Sequence, residues 1–226
     1  MADSTRDRVL STAKVMRARE RGLPLAYDCG LNGWVVTGDG SSMKPRPTGG
    51  GPAELGFRPW DLSDLPTYMR LLRDPEVWHF LPEEYPRPFT EETARGLMEV
   101  GSLAALHDVV AVVWKGRPIG QCLCRPERGS GAVRVAEVGY WLGRAFWGQG
   151  LMSRILPSFT HRCFARHRVD VLYASIRRDH AASARVAERA GFRRSDPAFD
   201  ATLAGIPSSP GFERYVLSRA AAPHPA

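Results

Sequence analysis

The run Tyr140–Arg154, YWLGRAFWGQGLMSR, constrains the fold more than any other part of the chain. An apolar, strand-like segment breaks into glycines and resumes with helical spacing, so Gly148 and Gly150 fall where a strand hands over to a helix. Glycine there lets main-chain N–H groups come close to a ligand, and a helix N-terminus carries roughly half a unit of positive charge. The two together make a cradle for phosphate. Further on, Arg178–Phe192 (RDHAASARVAERAGF) supplies a second short helix that can lie beside the first. That pairing points to a nucleotide-type cofactor and hence to an enzyme.

A length of 226 residues suits one domain of roughly 150–200 residues with an appendage. The formal net charge of +7 favours an anionic ligand or partner: a phosphorylated cofactor, an acidic substrate or RNA. An arginine-rich surface without such a partner accounts for the charge equally well. No basic stripe with interleaved aromatics occurs, which ranks nucleic acid low. Cys122 and Cys124 are too close for a CxxC pair and lack a histidine cluster, so no metal is expected. Their alternation places both thiols on one face of a buried strand, as reduced packing residues. The N-terminus, MADSTRDRVL, lacks an apolar signal region, and no run nears the roughly 18 apolar residues of a membrane span. The expectation is a cytoplasmic protein without a membrane partner.

Residues 1–37 read as an N-terminal appendage. Within it lie a helix over Ser4–Arg21 and a hairpin signal at Asn32-Gly33. Residues 38–53 form a Gly/Pro/Ser-rich linker, 54–220 the main domain and 221–226 a disordered tail. In the domain, Phe57–Trp60 predicts a strand and Asp61–Leu72 a helix with Leu65, Met69 and Leu72 inward. Pro75 and the run Pro82–Pro88 interrupt before a helix over Thr90–Val100 capped by Thr90. A hairpin joins Val109–Trp114 to Ile119–Arg125 through Gly-Arg-Pro, and Arg134–Leu142 is the next strand. A helix to about His167, a strand over Val169–Ile176, a helix capped by Asp179 and ended by Gly191, and a strand over Glu213–Ser218 complete it. Leu151, Ile155, Phe159 and Cys163 form a core stripe on the first of these two helices. The order is β-α-α-β-β-β-α-β-α-β, an α/β (α+β) fold with a mixed sheet.

At LRDPEVWHFLP (Leu72–Pro82), AEVGYWL (Ala136–Leu142), FWGQG (Phe146–Gly150) and HAASARVAERAGF (His180–Phe192) the chain resembles a known family. From Leu55 to Ser218 it is similar to the GCN5-related N-acetyltransferases (GNAT), in the branch that acetylates ribosomal-protein N-termini. The resemblance implies a splayed central sheet, acetyl-CoA as acyl donor, and main-chain amides across Trp147, Gly148, Gln149, Gly150, Leu151, Met152 and Ser153 on its pyrophosphate. It also implies that Gly139, Tyr140, Trp141 and Leu142 lie nearest the thioester, and that His180 replaces the asparagine that contacts the pantetheine arm. Met152, in place of a small residue, and Pro157, inside a helix at a cost of roughly 3 kcal/mol, are departures from the family pattern.

Acetyl transfer to an amine needs a polarised carbonyl, a base for the ammonium and an acid for the leaving thiolate. Glu137, a carboxylate in an otherwise apolar strand, is the candidate base; a salt bridge to Arg134 or Arg125 is the alternative. Many relatives place a tyrosine acid where this chain has Ala187. Ser183 matches the serine of the ribosomal-protein branch, as acid or as a helix-start residue bonded locally. Trp78, Phe80 and Tyr85 fall at the family's acceptor mouth, or pack beneath a proline-rich loop. Asp108 and Glu83 read as solvated charges, and Arg144, Arg154 and Arg185 as solvated or phosphate-facing. The acceptor is a primary amine, on a protein N-terminus or a small molecule. The alternative function is an acyl-CoA-binding or ribosome-associated module with lost catalysis, and a homodimer stays open.

Overall fold

The computed structural model describes residues 25–28, 33–36, 55–81, 88–102, 108–127, 133–196 and 210–222. The expected Ser4–Arg21 helix, the 38–53 linker, Glu83 and Tyr85 lie outside them. Strands β1 (Leu25–Asp28) and β2 (Gly33–Val36) pair antiparallel, with Asp28 opposite Gly33. A hairpin is present near the Asn-Gly signal, but Gly33 is already paired in β2, so Asn32-Gly33 is not its two-residue turn.

The domain then runs β3 (Leu55–Arg58), α1 (Leu65–Leu72), α2 (Pro75–His79), α3 (Glu91–Ser102), β4 (Asp108–Trp114), β5 (Arg117–Glu127) and β6 (Val135–Leu142). It continues through α4 (Leu151–His167), β7 (Val171–Arg177), α5 (Ala181–Arg189), β8 (Arg193–Arg194) and β9 (Phe212–Ser218). Asp61 caps a short 3-10 turn, Leu62–Asp64, that leads into α1, so the expected single helix is two pieces. Pro75 does not merely interrupt. Its fixed φ suits a first helical position, and Asp74 caps α2 by accepting from Glu76 N–H at 2.9 Å. The β4–β5 turn is Lys115-Gly116, both at positive φ, with Arg117 and Pro118 already in β5. Thr90 caps α3 as expected, its hydroxyl accepting from Thr93 N–H at 3.2 Å.

Seven strands form one sheet in the order β3-β4-β5-β6-β7-β9-β8, antiparallel except between β6 and β7. Side chains alternate across it. Val110, Val112, Cys122, Cys124, Val138 and Leu172 face α4 and α5, whereas Ala111 and Trp141 join the cluster built on α1, α2 and α3. The α4 stripe is core: Leu151, Ile155, Phe159 and Cys163 are all buried. The helix passes through Pro157 without ending, and Met152 is buried in the same cluster, its sulfur 3.9 Å from Cys122 Sγ. Helix α5 closes as Gly191 predicts. Gly191 N–H bonds Glu188 O at 3.0 Å and Phe192 N–H bonds Ala187 O at 3.1 Å, a Schellman motif with Gly191 at φ 92°.

Asp108 is not a solvated charge. With Arg162 it forms a bidentate ion pair at 2.6 and 2.8 Å, both side chains 5% exposed, and Arg166 adds a contact at 3.8 Å. The pair ties the first residue of β4 to the middle of α4. Removing one partner strands a buried charge, whereas replacing both by apolar side chains does not. Arg162→Ala is expected to cost about 3–5 kcal/mol in chemical denaturation, and Asp108→Leu with Arg162→Met to recover most of it.

Candidate active site

Strands β6 and β7 pair only from Val135 to Glu137, against Val171 to Tyr173. Beyond Glu137 they part, while β6 keeps its ladder to β5 as far as Leu142. One alternate set of main-chain groups between Val138 and Leu142 therefore faces the gap without a strand to bond. The gap opens into a cleft of about 1680 Å³. The cleft is lined by Gly139, Tyr140, Trp141, Leu142, Trp147, Gly148, Gly150, Leu151, Met152, Ser153, His180 and Ser183 among others.

At one end of the cleft the chain leaves β6, makes a 3-10 turn over Arg144–Phe146 and enters α4 through the glycines. Gly148 and Gly150 sit at φ 72° and 71°, and a Cβ on either would meet open space. The first α4 hydrogen bond runs from Arg154 N–H to Gly150 O at 3.1 Å, which leaves the amides of Leu151, Met152 and Ser153 ahead of the ladder. Those amides, at the positive end of a 17-residue helix, fit a diphosphate. The turn is braced from behind: Trp147 Nε1 donates to Leu142 O at 2.7 Å, and Gln149 Nε2 donates to Ala145 O at 2.9 Å. Gln149 therefore sits outside the lining. Met152 turns its side chain into the core, so only its amide faces the cradle. A Cβ on Gly139 would come 3.1 Å from Leu123, so that position is held small by its strand neighbour as well as by the cleft.

Alternation along β6 separates the two titratable candidates. Glu137 shares the face of Trp141, and its Oε2 accepts from Arg125 Nη2. Arg125 also bonds Glu127 at 3.1 Å. Burial pushes the Glu137 carboxyl above its usual range, against the pull of Arg125 and of a hydrogen bond from Ser175. A carboxylate offers about four acceptor positions, so both partners leave capacity for a further proton. The salt bridge to Arg125 is present, and Arg134 instead holds Asp170 through a bidentate pair.

Tyr140 lies on the opposite face, packed against the α4–α5 core. Its hydroxyl donates to Ser183 O at 3.0 Å and accepts from Ser183 Oγ at 3.1 Å. Burial pushes the phenol up, which keeps it protonated. Ala187 is fully buried in the core. The family resemblance implies that Tyr140 lies beside the thioester, but nothing in the local sequence pattern pairs it with a serine on another element.

His180, and not Asp179, occupies the N-cap of α5, without a side-chain cap bond. Asp179 is drawn away by Arg177, whose bonds at 3.0 and 2.8 Å hold its carboxyl down at about 2, and His79 lies 3.8 Å off. The His180 ring stacks on Phe80, 3.7 Å between centroids at 11°, and burial lowers its pKa. The Phe80 and Trp147 ring centroids are 6.3 Å apart, and both rings line the cleft with His180. Trp78 is not part of the lining; it packs on Phe89 at 5.0 Å. Arg185 lines the cleft, while Arg144 and Arg154 do not. Among the described residues no group of His, Cys, Asp or Glu could hold a metal ion, and no helix is long and apolar enough to cross a membrane.

A parted sheet with a glycine-turn anion cradle at its mouth is the arrangement of an acyl-CoA transferase. The model for the acetyltransferase (GNAT) domain matches residues 54–193, and the chain belongs to that family. It is an acetyl-CoA-dependent N-acetyltransferase that transfers the acetyl group to an amine. No curated protein matches it in sequence. Among solved structures it is similar to RimL, a ribosomal L7/L12 alpha-N-protein acetyltransferase in complex with coenzyme A. The TM-score is 0.59 at 21% identity, covering 73% of this chain and 94% of that one. RimJ of Mycobacterium smegmatis with CoA-disulfide gives 0.60 at 17%, over 77% and 91%. AAC(6')-Ib with ribostamycin and coenzyme A gives 0.59 at 20%, over 75% and 96%. These likenesses are of fold.

Gly150→Val would put a branched side chain into the cradle at a φ it disfavours. Calorimetric titration with coenzyme A is expected to show affinity lowered by at least about tenfold, or ~1.4 kcal/mol.

Proposed function

We propose that the acceptor is a primary amine, on a protein N-terminus or a small molecule, that attacks acetyl-CoA directly from the Glu137 side of the parted sheet. The observation that carries this reading is the end of β6–β7 pairing at Glu137, in line with the open cradle at Gly148–Ser153. The amides of that turn would hold the diphosphate, and the unpaired edge of β6 between Val138 and Leu142 would polarise the carbonyl. Bound acetyl-CoA supplies an activated acyl group and a thiolate leaving group.

This chain's own residues divide the proton work. Glu137 takes the proton of the attacking ammonium, directly or through a water; burial raises its pKa, which makes it a stronger base than a solvated carboxylate. Ser183 hydroxyl gives a proton to the departing sulfur from the other face. Phe80 walls the acceptor entrance next to His180, which borders the donor arm. RimL acts on a ribosomal protein and AAC(6')-Ib is seen with an aminoglycoside, which supports the two acceptor classes. We place the enzyme in the cytoplasm, on the buried free thiols of Cys122, Cys124 and Cys163; light scattering decides whether it is a homodimer. Thiol release over a panel of peptide N-termini and small amines, with products read by mass spectrometry, tells which of the two acceptor classes the enzyme serves.

Glu137→Gln is expected to lower kcat by about 10²-fold or more while leaving acetyl-CoA affinity within about twofold. A base must be deprotonated to act, so wild-type kcat/KM should fall as pH drops through the Glu137 pKa, above the usual carboxylate range. That acid limb should be missing from the Glu137→Gln profile; a retained limb removes Glu137 from the mechanism.

A further inference from the structure

A serine in the first turn of a helix ordinarily bonds its own backbone. Ser183, third in α5, does not: its hydroxyl is turned across the cleft and donates to Tyr140 Oη at 3.1 Å. The phenol returns a bond, donating to Ser183 O at 3.0 Å. These reciprocal bonds join the two sides of the parted sheet, since Tyr140 belongs to β6 and α5 follows β7. They also determine orientation. With the phenolic proton committed to a carbonyl, the phenolic oxygen presents a lone pair, and the serine rotor that meets it is held on the cleft side of α5. Cys122, opposite Tyr140 on β5, and the α4 core fix the ring from behind.

We propose that Tyr140 is the positioning residue for Ser183, holding the serine hydroxyl at the gap where the departing sulfur of acetyl-CoA takes up its proton. Tyr140 moves no proton itself. Glu137 passes one proton of the ammonium to solvent, the freed amine forms the N–C bond to the acetyl carbon, and Glu137 takes its second proton. The S–C bond breaks, the sulfur takes the electron pair, and the Ser183 Oγ proton swings from Tyr140 Oη to the sulfur. Solvent then removes the proton from Glu137 and returns one to Ser183. This inference rests on the role given to Ser183 above.

The test is a double-mutant cycle on Tyr140→Phe and Ser183→Ala, with kcat and acetyl-CoA affinity measured for the wild type, both single variants and the double variant. Tyr140→Phe removes one oxygen and keeps the ring. It is expected to lower kcat about tenfold, in the range of coupling between contacting residues, with acetyl-CoA affinity within about twofold. Ser183→Ala should lower kcat about 10²-fold, and the double variant should match Ser183→Ala alone. Full kcat in Ser183→Ala ends the acid role and this inference with it. A lowered kcat in Ser183→Ala with none in Tyr140→Phe, or losses that multiply in the double variant, overturns the inference and leaves the acid role standing. A Tyr140→Phe protein that loses its cooperative melt or its affinity for acetyl-CoA assigns Tyr140 to the fold and overturns it as well.

Discussion

Three residues of parallel pairing, Val135–Glu137 against Val171–Tyr173, organise the molecule. Were the ladder longer, β6 would spend its outward amides on β7 and the cleft would close. The buried pair Val135 and Val171, with Tyr173, holds the junction, and Glu137 stands at the first position past which the strands diverge. The site is thus built from hydrogen bonds the sheet does not make. A main-chain group left open in a cleft must find water or a ligand, and this is what makes such a gap a binding surface.

The cradle at the mouth follows the same logic. A helix start always has orphan amides, and most proteins cap them with a side chain. Here the N-cap is Gly150, which has none to offer, and its left-handed conformation aims the next amides at open space. Met152 fits because only its backbone is exposed to the ligand side, with its thioether absorbed between Cys122 and the α4 core. Pro157 fits because it lies one turn beyond the anion site, where the lost N–H would have met Ser153 O inside a helix already held by buried neighbours.

What the sequence revealed and what it hid divide by range. Local rules read well. The stripe on α4, the Thr90 cap, Gly191 at the end of α5 and the two glycines before α4 all rest on spacings within a turn or two, and each has its expected conformation. Pairings across the fold were not legible. Asp108 looks solvated until Arg162, 54 residues away, is brought beside it. Asp179 has the composition of an N-cap, but Arg177 competes for its carboxylate more strongly than the helix amides do. Trp78 shares its segment with Phe80 yet faces Phe89, a choice set by which side of α2 meets the core. The bonds of Tyr140 span 43 residues, and only the geometry of the opened sheet puts its partner within reach.

Alternation along β6 places Glu137 and Tyr140 on opposite sides of one strand, so under the proposed roles the amine and the leaving sulfur are served from different faces. A single inhibitor that imitates both reagents at once must therefore thread the strand gap rather than lie along a groove. The width between β6 and β7 beyond Glu137 sets the thickest tether such a compound can carry, and a bulky linkage would be refused however well its two ends fit.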